Sequence, residues 1–542
     1  MRNPIRSPAA GWRPAAPGPA FAVARLVLSA LLVSGVLLAA GCSARSGAPS
    51  GHGPSPGTPG AAGQPSARPF PVAENQQPGT RDWKVRHVGA PGAIEGFADR
   101  VSVLPGQPLR LFVSTTSRSW RAQAFRMGWY RGQQARLVWE SGAVRGLVQR
   151  APVISAGTNL VRAPWRPSLT VATAGWPAGS YLLRLDAASG AQRFVPVTVR
   201  SATVAGAVVI VNDVTTWQAY NLWGGYDLYT GPGGFADRAR AVSFDRPYDA
   251  NSYDNGAEWF MSFDQPAIAL AERAGVPLAY ETDVDLNEHP GLLNGARAVV
   301  SLGHDEYYSA AMRDQLTAAR NAGVNIAFLG ANAVFRHIRF GSSPLGTDRV
   351  VICYKVASED PLFGVRNSET TQDWREPPDP RPESVLTGVF YECNPVSDPY
   401  VVYDPGNWIF AGTGARKGES FGGMVGPEYD RVNPAVTVPR PMEVLAHSPL
   451  TCDGAPSYAD SAYYTVRGGA GVFASGTMRW VCAMKGSACG HGVGSAARRF
   501  VDVATTNLLR VFAAGPAGLT HPAHDNLARV REASGFAGTS GD

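Results

Sequence analysis

The sequence predicts a two-part fold: an all-β sandwich of immunoglobulin-like type, then an α/β domain on a mostly parallel sheet. Three observations carry this. Residues 83–203 break into short alternating apolar runs with turn residues between them. Beyond residue 205, continuous apolar runs alternate with segments of helical period, the pattern of βαβ units. At 542 residues the chain exceeds what one hydrophobic core holds.

The N-terminus comes first. A basic stretch ends at Arg25, and residues 26–40 are almost wholly apolar and small, too short to span a bilayer comfortably. The run closes on Leu38-Ala39-Ala40-Gly41-Cys42. This resembles a bacterial lipoprotein signal, with Cys42 as the lipid-bearing first residue of the mature chain. The expectation is an exported protein anchored to the outer face of the membrane. Residues 1–41 are the signal and 42–82 a tether, whose Gly, Pro, Ala and Ser cannot bury enough to order themselves. The formal charge of +6 owes four units to Arg2, Arg6, Arg13 and Arg25 of that signal, so the chain from residue 42 carries +2. No dense basic stripe remains, which argues against nucleic-acid binding. Export makes disulfides expected among Cys353, Cys393, Cys452, Cys482 and Cys489. Cys482 and Cys489 can close a small loop, and Cys353 with Cys393 is a second candidate pair.

In the sandwich the strands are residues 109–113, 125–130, 151–154, 181–185 and 194–199, with turns at Pro105-Gly106 and 177–179. Trp120, Trp129, Tyr130 and Trp139 read as its core. From 204 to 515 the order is strand 208–211, helix 263–274, strand 276–280, strand 296–302, helix 310–322 and strand 324–329. That is a flavodoxin- or amidotransferase-like arrangement, and its ligands belong at the C-terminal ends of the strands. Runs 351–354, 408–411 and 471–474 are expected to extend or decorate the sheet. Residues 504–512 close the domain as a helix, and 516–542 form a loose tail.

The chemistry gathers at those strand ends. Residues 299–309, VVSLGHDEYYS, end an apolar run in a glycine and then place His304, Asp305, Glu306 and Tyr307 together. Asp305 and Glu306 alone could cap the following helix; the four together point to a metal or proton-transfer site. Residues 212–229, NDVTTWQAYNLWGGYDLY, follow another strand, and their tyrosines either pack as a loop or point into the same crevice. Tyr248 stands in the stiff loop SFDRPY, Asn332 just after strand 324–329, and Glu428 in GPEYDR. Gly418-Glu419-Ser420-Phe421-Gly422 matches a nucleophile elbow but lacks the strand before and helix after. An α/β domain of this sort can also host a Cys-His-Glu amidotransferase site, but the strand end that would carry the nucleophile holds no cysteine, which argues against thiol catalysis.

Taken in order, TTWQAYNLWGG, SFDRPY, GHDEYYS, GVNIAFLGANAVFR, GTGARKGESFGGMVGPEYD and ATTNLLRVF resemble the C-terminal domain of the N,N-dimethylformamidase large (catalytic) subunit family, over residues 205–515. FRMGWYRGQQAR resembles that family's N-terminal β-domain. The resemblance implies a mononuclear ferric iron, held by two tyrosines and one glutamate, that hydrolyses a small amide. It puts Glu306 on the glutamate ligand and Tyr220 on the first tyrosine. Tyr248 is first choice for the second, with Tyr226 and Tyr229 behind it. It gives His304, Asn332 and Glu428 catalytic roles. The family's formamidase has a small partner subunit; whether this chain has one, or forms a homo-oligomer, is left open. A rival reading keeps the fold but not the catalysis: an envelope protein gripping a glycan or peptide with loop 212–229, along a groove lined by Trp217 and Trp223.

Overall fold

The computed structural model describes residues 70–250, 254–433 and 435–533. The signal segment, Cys42 and most of the tether lie outside the described residues. Strand outweighs helix, 32% to 22%, and antiparallel and mixed sheets dominate. The expected mostly parallel, flavodoxin-like α/β fold is therefore corrected: the chain is mainly β.

The first portion is two facing sheets. Ile94–Ala98, Leu109–Thr115 and Leu169–Val171 make one; Ser119–Met127, Gly179–Ala187 and Gln192–Val199 form the middle of the other. Period-two alternation turns Leu109, Leu111 and Val113 inward against Trp120, Leu183 and Val195. Trp120 and Tyr130 are buried, while Trp129 and Trp139 are half-buried. The ordered body begins earlier than residue 83. Glu74 accepts from the Tyr130 hydroxyl at 2.6 Å and from Arg136 at 2.7 Å.

The second portion centres on one seven-stranded sheet. Its strands are β1 (Val208–Asn212), β2 (Leu278–Thr282), β3 (Ala298–Gly303), β4 (Asn325–Gly330), β5 (Met442–Cys452), β6 (Ala455–Thr465) and β7 (Gly471–Ala474), in the order β2-β1-β3-β4-β7-β6-β5. The five from β2 to β7 run parallel. Both their faces are covered, which is why each reads as an unbroken apolar run. The hairpin β5–β6 then pairs antiparallel. Its turn is Asp453-Gly454 with φ of +49° and +79°, the left-handed pair that a two-residue type I′ hairpin needs. Helices α1 (Val214–Ala219), α2 (Gln265–Ala274), α3 (Ala310–Asn321) and α4 (Ser495–Ala514) complete the frame.

The departures lie beyond β4. Gly346–Ile352 joins a separate sheet with Arg336–Ser343, Ala241–Ser243 and Tyr307–Ser309. Trp408–Phe410 is a single helical turn rather than a strand. The tail is not loose throughout, since Leu527 and Val530 are buried in the core. Disulfides join Cys393 to Cys452 and Cys482 to Cys489, leaving Cys353 free and buried. The pair Cys353–Cys393 is thus corrected. No helix among the described residues is long and apolar enough to cross a membrane.

One buried ion pair ties the two portions together. Arg126, on a sandwich strand, meets Glu272 of α2 at 2.6 Å with both side chains fully buried. Glu272 also accepts from the Trp129 amide at 2.9 Å and the Tyr280 hydroxyl at 2.7 Å.

Candidate active site

The ends of β1, β3 and β4 meet in one crevice. Gly303 and Gly330 make the close approach possible: they pair across β3 and β4, and a Cβ on Gly330 would lie 1.9 Å from the Gly303 carbonyl. Behind them the chain is pinned. The Glu306 amide donates to Thr216 Oγ1 at 3.0 Å, and the Phe335 and Arg336 amides both donate to the Glu306 carbonyl. Ser309, not Asp305 or Glu306, caps α3 by accepting from the Met312 amide. The capping explanation of those carboxylates therefore fails. Asp305 turns to Tyr308, whose hydroxyl donates to it at 2.5 Å.

Tyr220 follows α1 directly. Gly224 and Gly225, at φ of +82° and +89°, reverse the chain so that the Leu228 amide donates back to the Ala219 carbonyl. That reversal lays Tyr229 beside Tyr220. The Tyr220 hydroxyl lies 2.7 Å from Glu306 Oε2, 2.8 Å from the Tyr229 hydroxyl and 3.0 Å from His304 Nε2. The Tyr229 hydroxyl in turn lies 2.9 and 3.1 Å from the two Glu306 oxygens.

Tyr248 does not join this cluster. Its ring packs edge-on against Trp217, centroids 6.4 Å apart, and burial pushes its phenol up, with a hydrogen bond to Gln218 opposing the rise. The tyrosine next to Tyr220 is Tyr229, not Tyr226. Asn332, at φ +58°, donates from Nδ2 to Glu428 Oε2 at 2.8 Å, and its amide donates to Asp430 at 2.8 Å. His304 Nδ1 stands 3.8 Å from Glu428 Oε2. Glu428 is nearer solvent than its acidic and imidazole neighbours, its side chain 13% exposed against 1% for Glu306 and His304.

Three further residues complete the site. Tyr307 donates to Tyr229 at 2.7 Å, and Lys355 donates to Tyr307 at 2.5 Å while its ammonium sits 3.5 Å over the Tyr229 ring. Arg336 Nε reaches Glu306 Oε1 at 3.2 Å. Tyr307 lay within the polar strand end already singled out. Arg336 closes the landmark GVNIAFLGANAVFR without having been singled out in it, and Lys355 belongs to a stretch of no special pattern, although it is a non-glycine residue at φ +63°. Ser420 of the G-x-S-x-G match is exposed and opens a strand, with no helix after it.

The electrostatics follow from burial and crowding. Burial pushes the phenols of Tyr220 and Tyr229 up, and the Glu306 charge adds to that. Burial also opposes the charge on Glu306, but His304, Lys355 and Arg336 outweigh it and hold the carboxyl well below the usual range. For His304, burial is likewise outweighed, by Glu428 and Glu306, and the imidazole is raised to about 9. Burial beside Arg336 lowers Lys355 to about 7. Glu428 is raised, first by burial and then by Glu306. The buried His304 Nδ1 and Asn332 Oδ1 have no hydrogen-bond partner among the described residues. Two phenols and a carboxylate, all hard oxygen donors, therefore converge within 3.1 Å of one another, and that donor chemistry fits a ferric ion.

A family model described as N,N-dimethylformamidase beta subunit-like, C-terminal, matches residues 121–493. The match starts inside the sandwich rather than at residue 205 and stops just before α4. No curated protein matches the chain. Among solved structures, a cycloisomaltooligosaccharide glucanotransferase of Paenibacillus sp., complexed with cycloisomaltoheptaose, is 13% identical at a TM-score of 0.13. The likeness covers 26% of this chain and 18% of that one, and is too slight to carry an argument.

Proposed function

The chain belongs to the N,N-dimethylformamidase beta subunit-like family, and from that premise we propose that it is an iron-dependent hydrolase of amide or related C–N bonds. The observation that carries the proposal is the convergence of the Tyr220, Tyr229 and Glu306 oxygens in one buried cluster. In this reading those three residues hold the ion, and Tyr229 takes the place first given to Tyr248. When bound, a ferric ion supplies Lewis-acid chemistry, polarising an amide carbonyl and acidifying water.

The chain's own residues do the rest. Arg336 and Lys355 set positive charge against Glu306 and the Tyr229 ring, which favours ionised oxygens there. Glu428, more exposed than Glu306 and His304, accepts the proton of the attacking water. It returns that proton to the amine nitrogen as the C–N bond breaks. The Asn332 amide, in contact with Glu428, donates to the oxygen on which negative charge develops. His304 carries its proton between Glu306 and Glu428 and balances their charge.

The rival binding reading needs scattered hydroxyls facing an open groove lined by Trp217 and Trp223. Trp217 is 4% exposed, and the Trp223 indole donates to Glu95 at 3.2 Å while packing edge-on against Trp165. That packing favours the hydrolase. Export and lipid anchoring through Cys42 belong to the proposal on sequence grounds. Amine release from a panel of small amides, measured with iron-loaded protein, tests the activity. Turnover that requires iron is expected, and iron-loaded protein inert on every amide would remove the proposal.

A further inference from the structure

A cleft of about 420 Å³ opens beside the cluster, lined by Trp217, Tyr220, Tyr248, Trp259, Phe260 and Phe263, with Asp249 and Glu258 also on its walls. It touches the cluster through two rings. Trp259 stacks on Tyr220, centroids 4.5 Å apart at 27°, and lies 5.9 Å from the His304 ring at 30°. The Tyr220 hydroxyl is 2.7 Å from Glu306. A group held in the cleft is thus one ring away from the reacting oxygens. The walls are braced: Trp259 packs on Phe263 at 5.3 Å, and Trp217 sits edge-on to both Phe260 and Tyr248. Trp259 immediately precedes a π-helical turn, Phe260–Asp264, an irregularity common at functional sites.

The lining is selective in charge as well as shape. Asp249 and Glu258 are exposed, and among the described residues no lysine, arginine or histidine lines the cleft. A carboxylate entering it would meet two like charges and no partner. A planar apolar group would meet several aromatic faces, which favour stacked or edge-on contact with another ring. The two methyl groups of a dimethylamide would leave most of the volume unfilled.

We propose that this cleft is the subsite for the non-reacting group of the substrate, that the group is an uncharged aromatic ring, and that Trp259 is the residue that selects it. The inference rests on the hydrolase reading for its chemistry but not for its binding. Its test separates the two. Initial rates are measured for N-benzylformamide, N,N-dimethylformamide and N-(4-carboxybenzyl)formamide. Binding of the same three compounds is followed by tryptophan fluorescence in Glu428→Gln protein.

The benzyl compound should show a KM about tenfold or more below the other two, the order of one aromatic contact. Trp259→Ala should raise that KM about tenfold, with kcat within about twofold, because the ring binds and does not react. Trp259→Phe should recover most of the affinity and guards against a variant that fails to fold. Selective binding of the benzyl compound without any turnover would sink the hydrolase and keep the subsite. Turnover of all three with equal KM, or equal binding of all three, would overturn the subsite.

Discussion

Tyr220 and Tyr229 lie ring on ring, centroids 4.6 Å apart and planes 22° from parallel, with their hydroxyls meeting 2.8 Å apart beside the Glu306 carboxylate. Nine residues of chain containing two left-handed glycines produce this contact. The first prediction follows from it. Tyr229→Phe removes one oxygen and keeps the stacking ring. Amide turnover should fall by two orders of magnitude or more, roughly the loss of a group that stabilises only the transition state. Iron retention, read by metal analysis after gel filtration, should fall in the same variant and hold in Tyr248→Phe. A Tyr248→Phe protein that loses its iron would return the second ligand to Tyr248.

In the proposed reaction Glu428 and Asn332 act on the reacting atoms rather than on the ion. Glu428→Gln keeps the shape and the contact with Asn332 but cannot accept a proton. Its kcat should drop by ~10²–10³ while KM moves little. Asn332→Ala should lose ~10²-fold in kcat through the lost oxyanion donor. Iron content should stay at the parent level in both. Steady-state kinetics beside metal analysis decide the point, and a Glu428→Gln protein of parental kcat would remove Glu428 from the chemistry.

How much of this was legible in the sequence differs by region. The strand ends were: an apolar run closing on Gly303 and followed by His304 and Glu306 is hard to place anywhere else. Tyr220 and Asn332 could be added because they too follow buried strands. Tyr226, Tyr229 and Tyr248 differ in loop geometry, and only in three dimensions does the left-handed turn at Gly224-Gly225 lay Tyr229 beside Tyr220. The parallel class was over-extended. It was read from 208–329, and the chain beyond it turns back in hairpins. The Asp453-Gly454 dipeptide is the local signal for one of these. Arg336 reaches the site from a separate sheet, and Lys355 from just past that sheet's strand Gly346–Ile352, a placement no local pattern predicts.

The joint between the two portions rests on a fully buried pair. Glu272→Gln leaves the Arg126 guanidinium buried with its charge uncompensated. Removing one partner of such a pair costs ~3–5 kcal/mol. Urea unfolding of the variant should show a loss of that order, together with weaker cohesion of the β-sandwich portion under limited proteolysis. A loss under ~1 kcal/mol would mean that the pair contributes little to the joint.

Glu281 makes stability depend on pH. Burial, and then Asp285, raise its carboxyl to about 9, with Arg200 at 3.9 Å opposing the rise. A raised folded-state value means that the folded chain binds this proton more tightly than the unfolded chain does. The stability contributed is complete below the ordinary carboxyl range and is lost as pH climbs towards 9. Glu281→Gln carries no proton to lose, so its melting temperature should fall less than the parent's between pH 5 and pH 9. Parallel curves for the two proteins would show that Glu281 does not titrate in this window.

The central claim is that Tyr220, Tyr229 and Glu306 bind a ferric ion through oxygen. The visible absorption spectrum of the purified, iron-loaded chain tests it most directly. A tyrosinate-to-iron charge-transfer band is predicted, at one iron per chain, weakened or shifted in Tyr229→Phe and lost in the Tyr220→Phe, Tyr229→Phe double variant. A parent protein that takes up iron without such a band, or takes up none, would contradict it.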